Sequence, residues 1–229
     1  MRLFTVITGL TISCLFVSTA GAATIFSNLG AGDLPLGGGV SIQWEQSLDG
    51  KGNSQVSGQA VAMRFTVADS DFHLDSITLG LWQVRGVSNI RISITTDVGG
   101  EPSQVLEMVA LNPNSITSTS QALTFESASH PLLVSGSDYW VVVEPSDLNT
   151  SDDTSNATYG WAFNPLGATS SQLARSPQSS GTWGSWIAGS PIALEPSLRV
   201  EGSAVPEPSA ISLFTVLAVA LTLNRKRRP

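Results

Sequence analysis

Apolar and polar residues alternate with a period of two along much of this chain, and this pattern restricts the fold more than any other feature. Val61, Met63, Phe65 and Val67 follow it, as do the apolar positions within 77–81 and 90–94. A period of two is typical of β-strands that bury one face. Because no helical period of any length occurs between residues 23 and 205, we predict an all-β domain.

Two further strands and the turns between strands indicate the architecture. Residues 139–143 are apolar on both faces, which predicts a central strand, and turn-forming residues fill 84–86, 97–102, 135–138 and 146–156. The predicted closing strand has Ile192, Leu194, Leu198 and Val200 alternating with Ala193, Glu195, Arg199 and Glu201. Short strands at roughly even spacing predict a two-sheet β-sandwich of jelly-roll type over residues 23–201. The sequence has no internal repeat, so we do not expect a propeller or a solenoid.

The N-terminal segment has the pattern of an export signal. Arg2 precedes an uncharged apolar and hydroxyl run over 3–17, and the small side chains of Ala20 and Ala22 form an A-x-A site. We therefore expect a signal helix over 1–22, removed by signal peptidase after Ala22. The only cysteine, Cys14, lies in this run, so the mature chain would hold no disulfide. Acylation of Cys14 as in a lipoprotein is a weaker alternative, because Thr11 stands where a leucine-like residue is expected.

The C-terminal segment has three elements in a fixed order. The motif Pro206-Glu207-Pro208 follows a short predicted linker at 202–205, an uncharged apolar stretch occupies 210–223, and Arg225, Lys226, Arg227 and Arg228 come last. As a helix, the apolar stretch would span only about 21 Å of a hydrocarbon core about 30 Å thick. The cations would stay on the cytoplasmic side and stop transfer. An ordinary single-span anchor with a proline-rich stalk is the alternative.

This three-part segment over 206–229 resembles the PEP-CTERM sorting signal of Gram-negative bacteria. The resemblance implies that Pro206, Glu207 and Pro208 are recognised by an exosortase, a membrane cysteine protease that cuts near the motif. Two prolines also hold the segment extended and free of helical hydrogen bonds, which suits presentation to a protease. On this resemblance the chain is a substrate, and 210–223 is a transmembrane sorting helix.

The predicted β domain also resembles the choice-of-anchor R domain of surface proteins. The residues that carry this resemblance are Gln59 to Phe65, Phe72-His73-Leu74-Asp75-Ser76-Ile77, Ile90 to Pro102, Leu133 to Gly136, and Tyr139-Trp140-Val141. The resemblance implies a β-rich surface module without an assigned activity.

The charge of the predicted domain restricts its partners. Five of the 11 basic residues but only one of the 18 acidic residues lie in the two terminal segments, which leaves a domain with a net charge of about −11. Such a surface repels nucleic acid and anionic lipid. It also keeps an exported protein soluble.

Catalytic and metal-binding patterns are weak in this sequence. His73 and His130 are the only histidines, neither has a second ligand at zinc spacing, and both are expected in turns or at sheet edges. No G-x-S-x-G elbow and no phosphate-binding glycine loop occurs. A Ser-His-Asp triad assembled in space, or a pair of facing carboxylates, is not supported by any spacing. We expect no enzymatic activity.

Two binding sites remain as hypotheses. Oxygen ligands over 147–156, with Asp147, Asp152 and Asp153 foremost, suit calcium but lack the EF-hand spacing. Trp183 and Trp186 could stack on sugar rings, whereas Tyr159, Trp161 and Phe163 share one strand face and should lie in the core.

We therefore expect a non-catalytic protein of the cell surface or extracellular matrix, sorted by exosortase and associated with exopolysaccharide or biofilm. It would be held in the inner membrane, with its domain outside the cytoplasm, until it is processed. A carbohydrate-binding module or a glycan-active enzyme is the alternative.

Overall fold

The protein is described here from a computed structural model, which is all-β in the part of the chain that it describes. It describes residues 21–30, 32, 35, 38–48, 54–86, 89–111, 115–145, 157–164, 173–179, 182–183, 185, 187–188 and 195–206. Within these residues no helix has the length and apolar character needed to cross a bilayer. The predicted signal helix and the predicted sorting helix at 210–223 lie outside the described residues.

The described residues form 14 strands of one antiparallel sheet. The first seven are β1 Ala22–Ser27, β2 Gly39–Leu48, β3 Ser54–Thr66, β4 Phe72–Arg85, β5 Ile90–Val98, β6 Glu101–Leu111 and β7 Gln121–Glu126. The others are β8 Leu132–Leu133, β9 Asp138–Pro145, β10 Ala157–Ala162, β11 Leu173–Ser179, β12 Thr182–Trp183, β13 Ile187–Ala188 and β14 Leu198–Ala204. The strands predicted from the alternation at 61–67, 77–81, 90–94 and 139–143 are confirmed.

Two long strands, β3 and β4, make the sheet curl because each pairs with several others. Leu79 of β4 pairs with both β14 and β7, and Leu81 pairs with both β10 and β7. Strands β14 and β10 therefore follow one another along one edge of β4, opposite β7. In the same way β2 and β9 share one edge of β3, and β11 takes the other.

The inner face of the curled sheet carries the main hydrophobic core. Leu79 and Leu81 of β4, Ile90 and Ile92 of β5, and Val141 of β9 are almost completely buried in it. Tyr159 and Trp161 join this core and Phe163 packs against it, which confirms the expectation for these three residues.

Strand β9 is buried on both faces, as the apolar run at 139–143 predicts. Val141 and Val143 face the main core, while Trp140 and Val142 form a second cluster with Ala62. The indole N–H of Trp140 donates to Asp97 Oδ1 at 2.6 Å. Because β9 lies between β3 and β5, its position is that of a central strand.

The segment 202–205 differs from the predicted linker. Gly202, Ser203 and Ala204 belong to β14 and pair with Leu74, His73 and Phe72, respectively, in β4. Small residues resemble a linker in composition, but Gly202 is needed here because a Cβ would overlap the His73 carbonyl oxygen. The domain therefore continues to the residue before the Pro206 motif.

Trp82 lies on the strand surface against two glycines. Gly160 of β10 is its direct partner across the ladder, and a Cβ added at Gly160 would overlap the Trp82 ring. A Cβ at Gly39 would approach the same ring. The indole therefore occupies the space that a side chain at position 160 would otherwise fill.

We expect Gly160→Ala to lower the free energy of unfolding by about 1–3 kcal/mol, because the new methyl group overpacks against Trp82. Urea denaturation of the mature protein measures this change. In the double variant with Trp82→Ala the overlap is relieved, so the cost of Gly160→Ala should largely disappear. Equal costs of Gly160→Ala with and without Trp82 would contradict this packing.

Candidate functional site

The Pro-Glu-Pro motif begins directly at the surface of the folded domain. Ala204, the last residue of β14, pairs with Phe72. The N–H of Val205 then donates to the carbonyl oxygen of Asp71 at 2.9 Å. Pro206, the first motif residue, is exposed. A protease that recognises this motif would therefore work in contact with the end of the sheet.

The expected signal-cleavage position lies beside the sorting motif. Ala22 and Ala23 of β1 pair with Ser203 and Gly202 of β14, respectively. Ser203, the partner of Ala22, lies three residues before Pro206. Paired residues in an antiparallel ladder have Cα atoms about 4.5–5.5 Å apart. The two proposed processing positions therefore meet at one end of the sheet.

Of the other predicted site residues, the structure describes only the backbone of Trp183. Trp183 lies in β12, where its backbone pairs with Gln178. The rest lie outside the described residues: Ala20, Asp147, Asp152, Asp153, Trp186, Glu207, Pro208, Arg225, Lys226, Arg227 and Arg228. Calcium binding and the Trp183–Trp186 glycan platform stay predictions.

Both histidines lie near this end of the sheet. His73 was expected in a turn or at a sheet edge, but it lies inside β4 and pairs with Ser203 on one side and Leu132 on the other. Its Nδ1 lies 3.0 Å from the His130 carbonyl oxygen, and the His130 Nδ1 lies 2.9 Å from the Leu74 carbonyl oxygen. A carbonyl only accepts, so each Nδ1 carries the proton and donates.

A β-bulge directs Asp75 toward two of these neighbours. Glu201 pairs with Ser76 and Gly202 pairs with Leu74, so Asp75 is the extra residue of β4 at this point. Ser203 Oγ donates to Asp75 Oδ2 at 2.6 Å, and His130 Nδ1 lies 3.5 Å from Asp75 Oδ1.

This group does not have the order of a Ser-His-Asp triad. In a triad the imidazole lies between the hydroxyl and the carboxylate, so that it can take the serine proton. Here the carboxylate of Asp75 lies between Ser203 and His130. The contacts instead connect β4, β14 and the 127–131 turn.

Glu107 is held by several hydrogen bonds. It accepts from the Ser127 hydroxyl and from the N–H groups of Ala128 at 2.6 Å and Ser129 at 3.1 Å. Burial raises the pKa of this carboxyl, but these hydrogen bonds outweigh burial and hold the pKa below its usual value. Sequence reasoning missed Glu107, although a single acid in the apolar run 105–111 is a signal for an inward-facing polar contact.

The crevice beside Glu107 is too small for an organic ligand. Ile92, Ile94, Val109 and Phe125 line it together with Glu107 and Ser127. Its volume of about 10 Å³ leaves room for about one water molecule. Glu107 therefore closes the gap between β6 and the turn after β7, which makes it a structural contact.

No set of three or more His, Cys, Asp or Glu side chains is positioned to hold a metal ion among the residues that the structure describes. No protein-family model matches this chain, and no curated protein matches its sequence.

We expect Glu107→Gln to lower the free energy of unfolding by about 1 kcal/mol at pH 7, because the hydrogen bonds lose their charged acceptor. The folded-state pKa of Glu107 lies below its unfolded value, so this stabilisation is present above the unfolded pKa of about 4.3. It is lost as the pH falls through the folded pKa.

Urea unfolding at pH 7 and at pH 3 measures the difference between the variant and the original protein. That difference should shrink at pH 3. Glu101→Gln, an exposed acid on the same strand, is the matched control and should change little at either pH. A difference for Glu107→Gln that is unchanged at pH 3 would contradict the electrostatic explanation.

Proposed function

We propose that this chain is an exported, non-catalytic surface or matrix protein whose C-terminal segment is a substrate for an exosortase. The observation that carries the proposal is the order of the Pro-Glu-Pro motif, the uncharged stretch 210–223 and the cation cluster 225–228. The place of Pro206 supports it: the motif starts one residue after the last backbone hydrogen bond of the domain, at Val205. A membrane-bound protease would meet it at the boundary between domain and tail.

The N-terminal segment completes the proposed route. Signal peptidase would cut after Ala22, and the domain would fold outside the cytoplasm while the tail stays in the inner membrane. Cutting near Pro206-Glu207-Pro208 would then release the domain to the cell surface or the extracellular space. There it would associate with exopolysaccharide.

We further propose that the curled sheet is a two-sheet jelly-roll sandwich. One sheet would form around β4 with β1, β14 and β7, and the other around β3 with β9, β5 and β6. The pairing of both β3 and β4 on two edges supports this arrangement, as does the single main core shared by strands of both groups.

The absence of catalysis in this proposal is supported by geometry. The Asp75 carboxylate separates Ser203 from His130, and the Glu107 carboxylate is occupied by three hydrogen-bond donors. In neither group does an imidazole lie between a serine hydroxyl and a carboxylate, as the Ser-His-Asp arrangement requires.

The test of the proposal is the replacement of Pro206, Glu207 and Pro208 by alanine in one variant. Export should continue, because the N-terminal signal is unchanged. The uncut tail should hold the protein in the inner membrane, since each basic residue costs about 2.5–3.5 kcal/mol at the bilayer centre on insertion scales. Cell fractionation with a C-terminal epitope tag separates the forms, and the variant should keep its tag.

The matched control changes three other tail residues, Ser209→Ala, Ser212→Ala and Thr215→Ala, and leaves the motif intact. It should be processed like the original protein and lose its tag. Equal processing of the motif variant and the original protein would show that the motif is only a stalk.

Glycan binding is the second candidate, and Trp82 favours it. Its ring lies against Gly160 and Gly39 and is only partly buried. Part of the indole therefore contacts solvent. Arg85, three residues after Trp82 in β4, forms an ion pair with Glu45 of β2. An aromatic ring with polar groups beside it suits stacking on a neutral sugar.

If glycan binding is the function, Trp82→Ala should abolish binding of neutral glycans on an array, because the stacking surface is removed. The variant Trp183→Ala with Trp186→Ala tests the platform predicted from the sequence in the same assay. Binding by the original protein that neither variant reduces would exclude both platforms, and no binding by the original protein would leave the sorting proposal alone.

A further inference from the structure

Both segments that flank the described domain leave it at the same end of the sheet. Strands β1 and β14 are antiparallel neighbours, and Ala22 lies opposite Ser203. Directly after β14, the N–H of Val205 donates to the carbonyl oxygen of Asp71. We call this region, which comprises Asp71, Leu132, Val134 and Val205, the tether end.

The tether end exposes apolar side chains. Leu132 of β8 is 46% exposed, although its neighbour Leu133 is completely buried. Val134 is 43% exposed, and its N–H is held by the Tyr139 hydroxyl at 2.9 Å. Leu132 pairs with His73 of β4, whose other partner is Ser203 of β14. Two strands, β4 and β14, therefore lie between β8 and β1.

A third exposed apolar side chain lies at the same end of the sheet. Val98 is 65% exposed at the turn between β5 and β6. Thr96 pairs with Tyr139 near the start of β9, so this turn is at the end where the 134–137 turn lies. Six large apolar side chains are exposed among the described residues, and three of them lie at this end.

The segment between the domain and the apolar stretch is short, so the tether end stays close to any bilayer that holds the tail. Only four residues, 206–209, lie between Val205 and Ala210, the first residue of the apolar stretch, so the Cα atoms of Val205 and Ala210 are at most about 18 Å apart. The interfacial layer beside the hydrocarbon core is itself about 5–8 Å thick. A 14-residue apolar helix is also shorter than that core, which draws its flanking residues toward the membrane.

We propose that the tether end is a membrane-contact surface, and that Leu132 and Val134 enter the headgroup layer of the bilayer in which the tail is anchored. The inference rests on the proposed function, since it requires the tail to be a membrane anchor. The nearby Asp71 carboxylate and the acidic domain disfavour anionic lipid. Two partly exposed side chains bind a bilayer weakly, so the contact depends on the tail and ends when the tail is cut.

The experiment uses the mature protein with its tail, inserted in phosphatidylcholine nanodiscs. The only cysteine of the sequence, Cys14, is removed with the signal, so single cysteines can be labelled with an environment-sensitive fluorophore. Labels go on Leu132→Cys and Val134→Cys. The matched control is Val84→Cys, which is 55% exposed and lies up to about 36 Å along β4 from His73. A label on Thr222→Cys reports insertion of the tail.

Spin-labelled headgroups provide the readout. We expect quenching at Leu132 and Val134 to exceed quenching at Val84 by at least about twofold, with the Thr222 label protected from an aqueous quencher. A protected Thr222 label with equal quenching at all three domain positions would overturn the membrane-contact surface and leave the sorting proposal intact. A Thr222 label open to the aqueous quencher would overturn both.

Discussion

The position of β14 between β1 and β4 is the interaction on which the rest of the structure depends. Leu198 and Val200 of β14 are completely buried, and the Asn28 side chain fixes the start of the strand. Its Nδ2 donates to the Pro196 carbonyl oxygen at 2.8 Å, and its Oδ1 accepts from Leu198 N at 2.7 Å. A strand near residue 200 thus pairs with one near residue 25, and loop closure of this length opposes early pairing. The sheet is therefore completed only when nearly the whole domain is available to fold.

Sequence patterns predicted those strands whose two faces differ in polarity. The alternation in β3, β4 and β5 could be read directly because one face of each meets the core. The turn at Gly99 and Gly100 was also readable, since both residues have positive φ, at 68° and 86°, and glycine adopts such angles most readily. The end of β14 could not be predicted, because Gly202, Ser203 and Ala204 have the composition of a linker. Their pairing depends on β4, which lies far away in sequence.

The candidate sites differ in the same way. The Pro-Glu-Pro motif is contiguous in sequence, so its role in sorting could be proposed without a structure. The Asp75 contacts depend on a bulge that changes which side of β4 the carboxylate faces, and the Glu107 contacts depend on the approach of β6 to the turn after β7. Neither could be read from spacing, because each joins residues of separate strands. The prediction for His73 was wrong for the same reason. A strand that pairs along both edges carries no local sequence signal of its second partner.

The charge of the domain favours its release from the membrane after the proposed cleavage. In the proposed route the tail carries four of the chain's 11 basic residues, while the domain keeps 17 of the 18 acidic ones. Before cutting, the tail anchors the domain, and its cations favour the anionic cytoplasmic leaflet. Cutting removes the anchor and these cations together, so the released domain has a net charge of about −11. Such a domain is repelled by anionic lipid, and the apolar side chains of Leu132 and Val134 are too few to hold it. Rebinding to the membrane is therefore unfavourable, and release does not require a second protein to extract the domain.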